Sequence, residues 1–248
     1  MKRFTFLLLT GILCLLPEAA NANERRFSYT YETSVLPQGA REIELWNTDR
    51  RGRAYFYRRL DQRIEYEFGV SNNLMSALYL NYTWKTKDSN EEGVGGTKSS
   101  SYSVSISNEW KYKLMDRVAD PFGFALYGEW TVGPDKTELE AKLLFDKQLS
   151  NVLVAFNAVV EQEWGYDVKN GDTEIEDEFI TEFDLGLSYS LSENFSIGIE
   201  ARQHSVSLNG TLTHSAFFAG PTVAVYNEYF WATLTVLPQV TSFKGTTT

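Results

Sequence analysis

Apolar and charged residues alternate strictly along parts of the chain, most clearly in the stretch LDQRIEYEFG, residues 60–69. Apolar side chains occupy one parity and charged side chains the other, with Ile64, Tyr66 and Phe68 set against Arg63, Glu65 and Glu67. A period of two predicts a β-strand, because successive side chains point to opposite faces of a sheet. The apolar face would contact either the core of a soluble sandwich or the lipid around a membrane barrel, whose lumen the charged face would line.

The same alternation recurs through most of the chain and predicts eleven strands. Most of them have about the length that a tilted strand needs to cross a membrane, roughly 9–11 residues. We place them at residues 39–46, 60–69, 74–84, 100–113, 121–132, 138–146, 152–161, 179–189, 195–204, 215–226 and 229–240.

The connections between the predicted strands alternate in length. Short turns are predicted at 71–73, 149–151, 192–194 and 227–228, with a somewhat longer link at 113–121. The intervening connections are longer and polar, except for 133–137, and lie at 48–57, 85–99, 165–178 and 205–213. Outer-membrane barrels sort their connections in this way, with short periplasmic turns and long extracellular loops, whereas a sandwich has no reason to.

The tryptophans fall near the ends of the predicted strands. Trp84, Trp110, Trp130 and Trp164 also share the apolar parity of their strands. Tryptophan is enriched at membrane interfaces, so we interpret these four as membrane-interface aromatics. The sequence therefore predicts an all-β, antiparallel up-and-down transmembrane β-barrel of about twelve strands, in preference to a soluble sandwich or a lipocalin-like barrel.

The strand count leaves one question open, because bacterial single-chain barrels have an even number of strands. Eleven strands are visible, and we expect that a last strand is missing. A rival interpretation makes residues 27–33 the additional strand, but all long connections would then become periplasmic. A short periplasmic latch or partial plug suits this segment better.

The N-terminus has the layout of a secretory signal peptide. Lys2 and Arg3 precede an apolar run at residues 4–16, and a small-residue site predicts cleavage after Ala22. The one cysteine of the chain, Cys14, lies in this segment. We therefore predict a signal peptide at 1–22, a periplasmic N-terminal segment at 23–38 and the barrel at 39–248.

Several stretches resemble a family of outer-membrane proteins. They are the opening YTYETSVLPQGAREIELWNT, the hairpin LDQRIEYEFGVSNNLMSALYLNY and the strand FFAGPTVAVY. With the signal peptide, they look like uncharacterised porin-like or transporter-like outer-membrane β-barrels of Gram-negative bacteria. The resemblance implies a bacterial outer-membrane location and a barrel, but no reaction and no catalytic residues.

Charge narrows the possible partners. The chain has 33 acidic and 23 basic residues and a formal net charge of −10, which argues against nucleic acid as a partner. Acidic residues also dominate the parity that would line the lumen: Glu42, Glu44, Arg63, Glu65, Glu67, Glu129, Glu140, Lys142, Glu161, Glu182, Asp184, Glu200 and Arg202. Such a lining would favour cations, unless its basic residues bridge the carboxylates and fill the lumen.

Two functions follow from these alternatives. The first is a narrow porin-like channel or passive transporter for small, cationic solutes, with the outer-membrane bilayer and those solutes as partners. The second is a non-conducting structural or surface-binding barrel.

A lipid hydrolase ranks third. His204 and His214 enclose the stretch SVSLNGTLT, whose Ser and Asn residues invite comparison with the Ser–His–Asn site of outer-membrane phospholipases. However, His204 has the lumen parity, and a nucleophile that acts on lipid must face outward. The histidine pair lacks a third metal ligand at a defined spacing, and the acidic stretch at 167–178 does not match an EF-hand. We therefore expect no catalytic site, no cofactor and no metal site.

Overall fold

The computed structural model describes residues 25–52, 56–88, 97–169 and 172–244. The predicted signal peptide, with Cys14, lies outside these residues. In the described part of the chain, no helix is long and apolar enough to cross a membrane.

Twelve strands account for most of the described residues. They are β1 (Arg41–Arg51), β2 (Tyr57–Ser71), β3 (Leu74–Asp88), β4 (Lys98–Met115), β5 (Gly123–Val132), β6 (Lys136–Leu149), β7 (Val152–Lys169), β8 (Asp172–Ser192), β9 (Phe195–Leu208), β10 (Thr211–Tyr226), β11 (Trp231–Thr235) and β12 (Gln239–Lys244). Strands β1 to β11 pair in sequence order, each antiparallel to the next. The predicted all-β, up-and-down barrel fold is therefore confirmed.

The last two strands share one position in the sheet, because both pair with β10. Trp231–Thr235 lies beside 222–226, and Gln239–Lys244 lies beside 214–218. Pro238, which has no N–H to donate, falls between them and interrupts the ladder. The predicted strand at 229–240 is thus divided in two, and β12 is not the additional strand that the parity argument called for.

The sheet curls so that its first and last strands approach each other. The Trp231 indole N–H on β11 donates a hydrogen bond to the Glu42 carboxylate on β1. Among the described residues, β1 pairs only with β2, so the two edges meet through side chains and not through a strand ladder.

The two faces of the sheet differ as the alternation predicts. On β2, Glu65 is fully buried while its neighbour Ile64 is 52% exposed. We call the face that carries Glu65 the inner face and the opposite one the outer face. The outer face exposes large apolar side chains over most of the strands, among them Leu80 on β3, Ile106 on β4 and Phe183 on β8.

Several predicted loops are wrong, because the strands continue through them. The predicted loop at 165–178 forms the paired ends of β7 and β8, which run to Lys169 and from Asp172. Likewise β1 extends to Arg51, and β9 and β10 continue to Leu208 and from Thr211. Residues 174–177 are exposed on both parities, so this part of the strand has no buried face to impose an alternation.

Candidate functional site

The N-terminal residues 25–38 lie against the inner face of the curled sheet. We call them the inner segment. They contain no strand or helix, and their backbone groups find partners on the surrounding wall instead. The contacts reach from β1 across the sheet to β11, so the inner segment occupies the space that the sheet encloses near the short turns.

The carboxylate of Glu200 on β9 holds the middle of the inner segment. Its Oε1 accepts the backbone N–H groups of Tyr29 at 2.5 Å and Thr30 at 2.6 Å, and its Oε2 accepts that of Ser28 at 3.1 Å. Glu200 is fully buried. Three donors converge on one charged acceptor, which is among the stronger arrangements for fixing a backbone in place.

Asn157 on β7 pairs with the inner segment as a peptide group of a neighbouring strand would. The Tyr31 N–H donates to Asn157 Oδ1 at 2.6 Å, and Asn157 Nδ2 donates to the Tyr31 carbonyl at 2.9 Å. Two residues later, the Thr33 N–H and hydroxyl donate to Asp146 on β6, at 3.0 and 2.6 Å.

Two aromatic side chains anchor the inner segment in apolar patches of the otherwise polar inner face. Phe27 is 1% exposed and clusters with Leu153 and Ala155. Tyr31 packs with Ala125, Tyr127 and Leu144, and its ring meets that of Tyr127 edge to face at 5.3 Å. Burying a side chain such as Phe27 contributes about 1.5–3 kcal/mol.

Cations surround the Tyr31 ring. The guanidinium of Arg25 and the ammonium of Lys142 each lie 4.1 Å from its centroid. Burial raises the pKa of the Tyr31 phenol, although the charges of Arg63, Lys142 and Arg25 oppose that shift. Tyr31 is therefore a neutral aromatic anchor at neutral pH.

The start of the inner segment lies across the gap between the two sheet edges. The Thr233 hydroxyl on β11 donates to the Arg25 carbonyl at 2.6 Å, while Arg25 Nη1 reaches Glu44 Oε2 on β1 at 3.4 Å. Ser28 Oγ donates to Thr235 Oγ1 at 2.8 Å. The inner segment therefore ties together the edges that no strand pairing joins in the described part of the chain.

The chain passes from the inner segment into β1 over Gly69 of β2. The Gly39 N–H donates to the Gly69 carbonyl at 2.9 Å, and the Gly69 N–H donates to the Ala40 carbonyl at 3.0 Å. A Cβ on Gly69 would lie 2.0 Å from the Pro37 carbonyl oxygen. Only glycine allows the two backbones to approach so closely.

The thirteen residues predicted to line the lumen all have inner-face parity, and none of them is exposed. Six are buried: Glu44, Glu65, Glu67, Glu182, Asp184 and Glu200. Seven are half-buried: Glu42, Arg63, Glu129, Glu140, Lys142, Glu161 and Arg202.

Several of these charges pair within the wall. Arg63 binds Glu65, and Lys142 Nζ lies 3.0 Å from Glu140 Oε1. Arg202 binds Glu182 and lies 3.9 Å from Asp184. Such pairing of basic residues with carboxylates is what the filled-lumen alternative predicts.

The histidine stretch, which ranked third as a hydrolase site, is divided between the two faces of the sheet. His204 Nδ1 bonds to Glu182 Oε2 at 2.8 Å on the inner face. Ser205 is of the opposite parity, and its Oγ lies 2.8 Å from that of Ser215. The rings of His204 and His214 have centroids 6.1 Å apart.

The four tryptophans predicted at membrane interfaces have outer-face parity. Trp84, Trp110 and Trp130 are exposed by about two fifths of their surface, and Trp164 is half-buried. Trp110 also donates from Nε1 to Asn108 Oδ1 at 2.7 Å.

Asp146 and Asn157 were not among the predicted site residues, although both hold the inner segment. Each has inner parity, so the alternation places them on the correct face. Their role could not be predicted, because they bind backbone groups of a segment without any periodic pattern.

The chain matches the model of a known protein family. The model of a family described as "Family of unknown function (DUF6662)" matches residues 19–247. No curated protein matches the chain.

Proposed function

The chain belongs to this family of unknown function (DUF6662), and we propose that it is a bacterial outer-membrane β-barrel, a narrow passive channel for small cationic solutes that its own inner segment closes. The observation that carries the proposal is the set of bonds by which the walls hold residues 28–33 through Glu200, Asn157 and Asp146.

The outer face supports the membrane location. It exposes large apolar side chains on successive strands, such as Leu78, Leu139 and Leu185. Contiguous apolar surface on this scale marks a site of contact with lipid or protein. Lipid suits a sheet that curls on itself and carries tryptophans on the same face.

The composition of the inner face supports a preference for cations. Ten of the thirteen predicted lining residues are acidic, and three are basic. A narrow space lined by one sign of charge concentrates counter-ions of the other sign. Because Glu200 bonds the inner segment, part of this negative charge becomes available to solutes only when the segment leaves.

A second candidate function is a non-conducting barrel whose exposed strand ends act as a structural or binding surface. The pairing of Arg63, Lys142 and Arg202 with neighbouring carboxylates favours it, because such pairs fill the enclosed space.

Conductance in a planar bilayer under a salt gradient tests the proposal and separates the two candidates. Wild-type protein should open rarely. Glu200→Ala, which removes three bonds to the inner segment, should raise the open probability at least about tenfold, since three bonds contribute more than 1.4 kcal/mol together. The reversal potential should lie on the cation side.

The matched control is Glu193→Ala, at an exposed turn that ends β8. If this variant opens as often as Glu200→Ala, the effect is not due to the inner segment. If wild type and Glu200→Ala insert and both stay silent, the barrel is non-conducting. Equal, continuous conductance of the two would show that the inner segment does not close the channel.

A further inference from the structure

Three carboxylates converge on the inner face beside the gap between the sheet edges. Glu42 and Glu44 lie on β1 and Glu67 on β2, and one carboxylate oxygen of each lies within 4.8 Å of the others. Glu42 and Glu67 are direct cross-strand partners. Like charges placed directly opposite destabilise a sheet unless something compensates them.

Two of these carboxylates are almost completely buried and have an oxygen without a hydrogen-bond partner. Glu44 and Glu67 are each 3% exposed. Glu44 Oε1 and Glu67 Oε2 have no hydrogen-bond partner among the described residues. Leaving a buried carboxylate oxygen without a hydrogen bond costs free energy. A bound cation that takes oxygen ligands would remove this cost.

A basic side chain bonds one of the three carboxylates. Arg25 Nη1 lies 3.4 Å from Glu44 Oε2. Arg63 is bonded to Glu65, and the buried Lys111 lies on the inner face near both Glu67 and Glu109. Glu67 Oε2, which no hydrogen bond reaches among the described residues, is therefore open to a cation.

A second cluster of three carboxylates in the same sheet is bonded by a lysine. Glu138 and Glu163 are also direct cross-strand partners and group with Glu161. There, the Lys136 ammonium bonds to Glu138 and lies 2.8 Å from Glu163 Oε2. Lys136 thus bonds two carboxylates of its cluster, whereas Arg25 bonds Glu44 and Glu67 Oε2 has no hydrogen-bond partner among the described residues.

We propose that Glu42, Glu44 and Glu67 bind a divalent cation of the calcium type. Ca²⁺ takes only oxygen ligands in flexible geometry, and two oxygens bound to one ion at about 2.3–2.6 Å lie at most about 5 Å apart. The 4.8 Å limit on the three carboxylates fits that span. The ion would reinforce the junction that Arg25 and Trp231 make between β1 and β11.

Two tryptophans report on this site. Trp46 Nε1 donates to Glu44 Oε2 at 2.9 Å, and Trp231 Nε1 donates to Glu42 Oε1. A cation that binds these carboxylates therefore changes the hydrogen bonding of both indoles. Tryptophan emission should follow the occupancy of the site.

The experiment is a titration of the full-length protein, refolded in detergent micelles, with CaCl₂ at ionic strength held constant with NaCl. Calorimetry gives the stoichiometry, and tryptophan emission reports the site. Wild type should bind one ion per chain with a matching, saturable change in emission. Glu67→Gln should weaken binding at least about tenfold, because it removes one of three charged ligands.

Two further variants keep the test decisive. Glu42 lies at the half-buried side of the cluster, and Glu42→Gln should weaken binding similarly. With two variants, the outcome does not depend on whether one of them folds. Glu163→Gln, in the cluster where Lys136 already bonds Glu138 and Glu163, should bind as wild type does. The proposal is overturned if wild type binds no Ca²⁺, or if Glu67→Gln and Glu42→Gln bind it as tightly as wild type. It is independent of the proposed channel, since the titration involves no conductance.

Discussion

The backbone N–H of Thr30 donates a hydrogen bond of 2.6 Å to the carboxylate of Glu200, which lies 170 residues further along the chain. Glu200 also accepts the N–H groups of Ser28 and Tyr29. The middle of a segment without secondary structure is thereby fixed to the wall by one buried side chain. The attachment depends on the two oxygens of a carboxylate, since three donors must be satisfied.

We predict that Glu200→Gln loosens the inner segment. A carboxamide offers one acceptor oxygen and adds a donor, so at least one buried N–H loses its partner, at a cost of about 1–3 kcal/mol. Trypsin should then cut faster after Arg25 and Arg26, which are 6% and 9% exposed in the intact protein. Mass spectrometry of the digest measures the rate. Glu193→Gln is the control, and equal cleavage rates in the two variants would contradict the prediction.

The contact between Gly186 and Phe27 gives a second prediction. A Cβ on Gly186 would lie 2.7 Å from Cε1 of the Phe27 ring. We expect Gly186→Ala to displace the ring and lower the free energy of unfolding by about 1–3 kcal/mol, the usual cost of overpacking. Denaturant unfolding followed by tryptophan emission measures it.

The control for that substitution is Gly165→Ala, since a Cβ there would meet its nearest neighbour, the Glu176 Cβ, at 3.8 Å. Combining Gly186→Ala with Phe27→Leu should restore part of the lost stability, because the smaller side chain relieves the overlap. Strictly additive effects of the two substitutions would show that they do not interact.

The alternation of residue types was enough to predict the strands and the face that each side chain occupies. On β2, for instance, Glu65 and Ile64 differ in burial as their parity requires. The prediction failed where burial does not alternate. Residues 174–177 are exposed on both faces, so a paired strand end was predicted as a loop.

Contacts between distant segments were beyond a single sequence. Asp146 has the parity of a wall residue, but nothing in the chain indicates that it accepts the N–H of Thr33. Likewise, the grouping of Glu42, Glu44 and Glu67 depends on the register of β1 and β2. A change of register by two residues would preserve every face and separate these carboxylates.

The turn after β4 yields a prediction about pH. Asp116 Oδ1 accepts the N–H groups of Val118 at 2.9 Å and Ala119 at 3.2 Å, and these backbone bonds lower the pKa of Asp116 below its usual value. A carboxyl with a lowered pKa in the folded state stabilises the fold above its unfolded-state pKa, about 3.9, and loses that contribution as the pH falls through the folded-state pKa.

Asp116→Asn should therefore be less stable than wild type at pH 7, and the difference should shrink as the pH falls below about 4. Unfolding measured from pH 7 to pH 2 gives the two curves, and subtracting them removes the titration of the other carboxyl groups. A difference that stays constant across this range would mean that the Asp116 charge does not contribute through these bonds.

The outer face gives the prediction that decides the environment of the barrel. Ile106 is 53% exposed near the middle of β4, where we expect lipid. Ile106→Arg should lower the free energy of unfolding from lipid vesicles by about 2–4 kcal/mol, the cost of a charged residue at the bilayer midplane of a β-barrel. Val118→Arg, at a 67% exposed position in the turn beyond β4, should change it little. Denaturant unfolding of both variants in the same vesicles measures the two values. If Arg is tolerated equally at both positions, water surrounds the outer face and the membrane location is wrong.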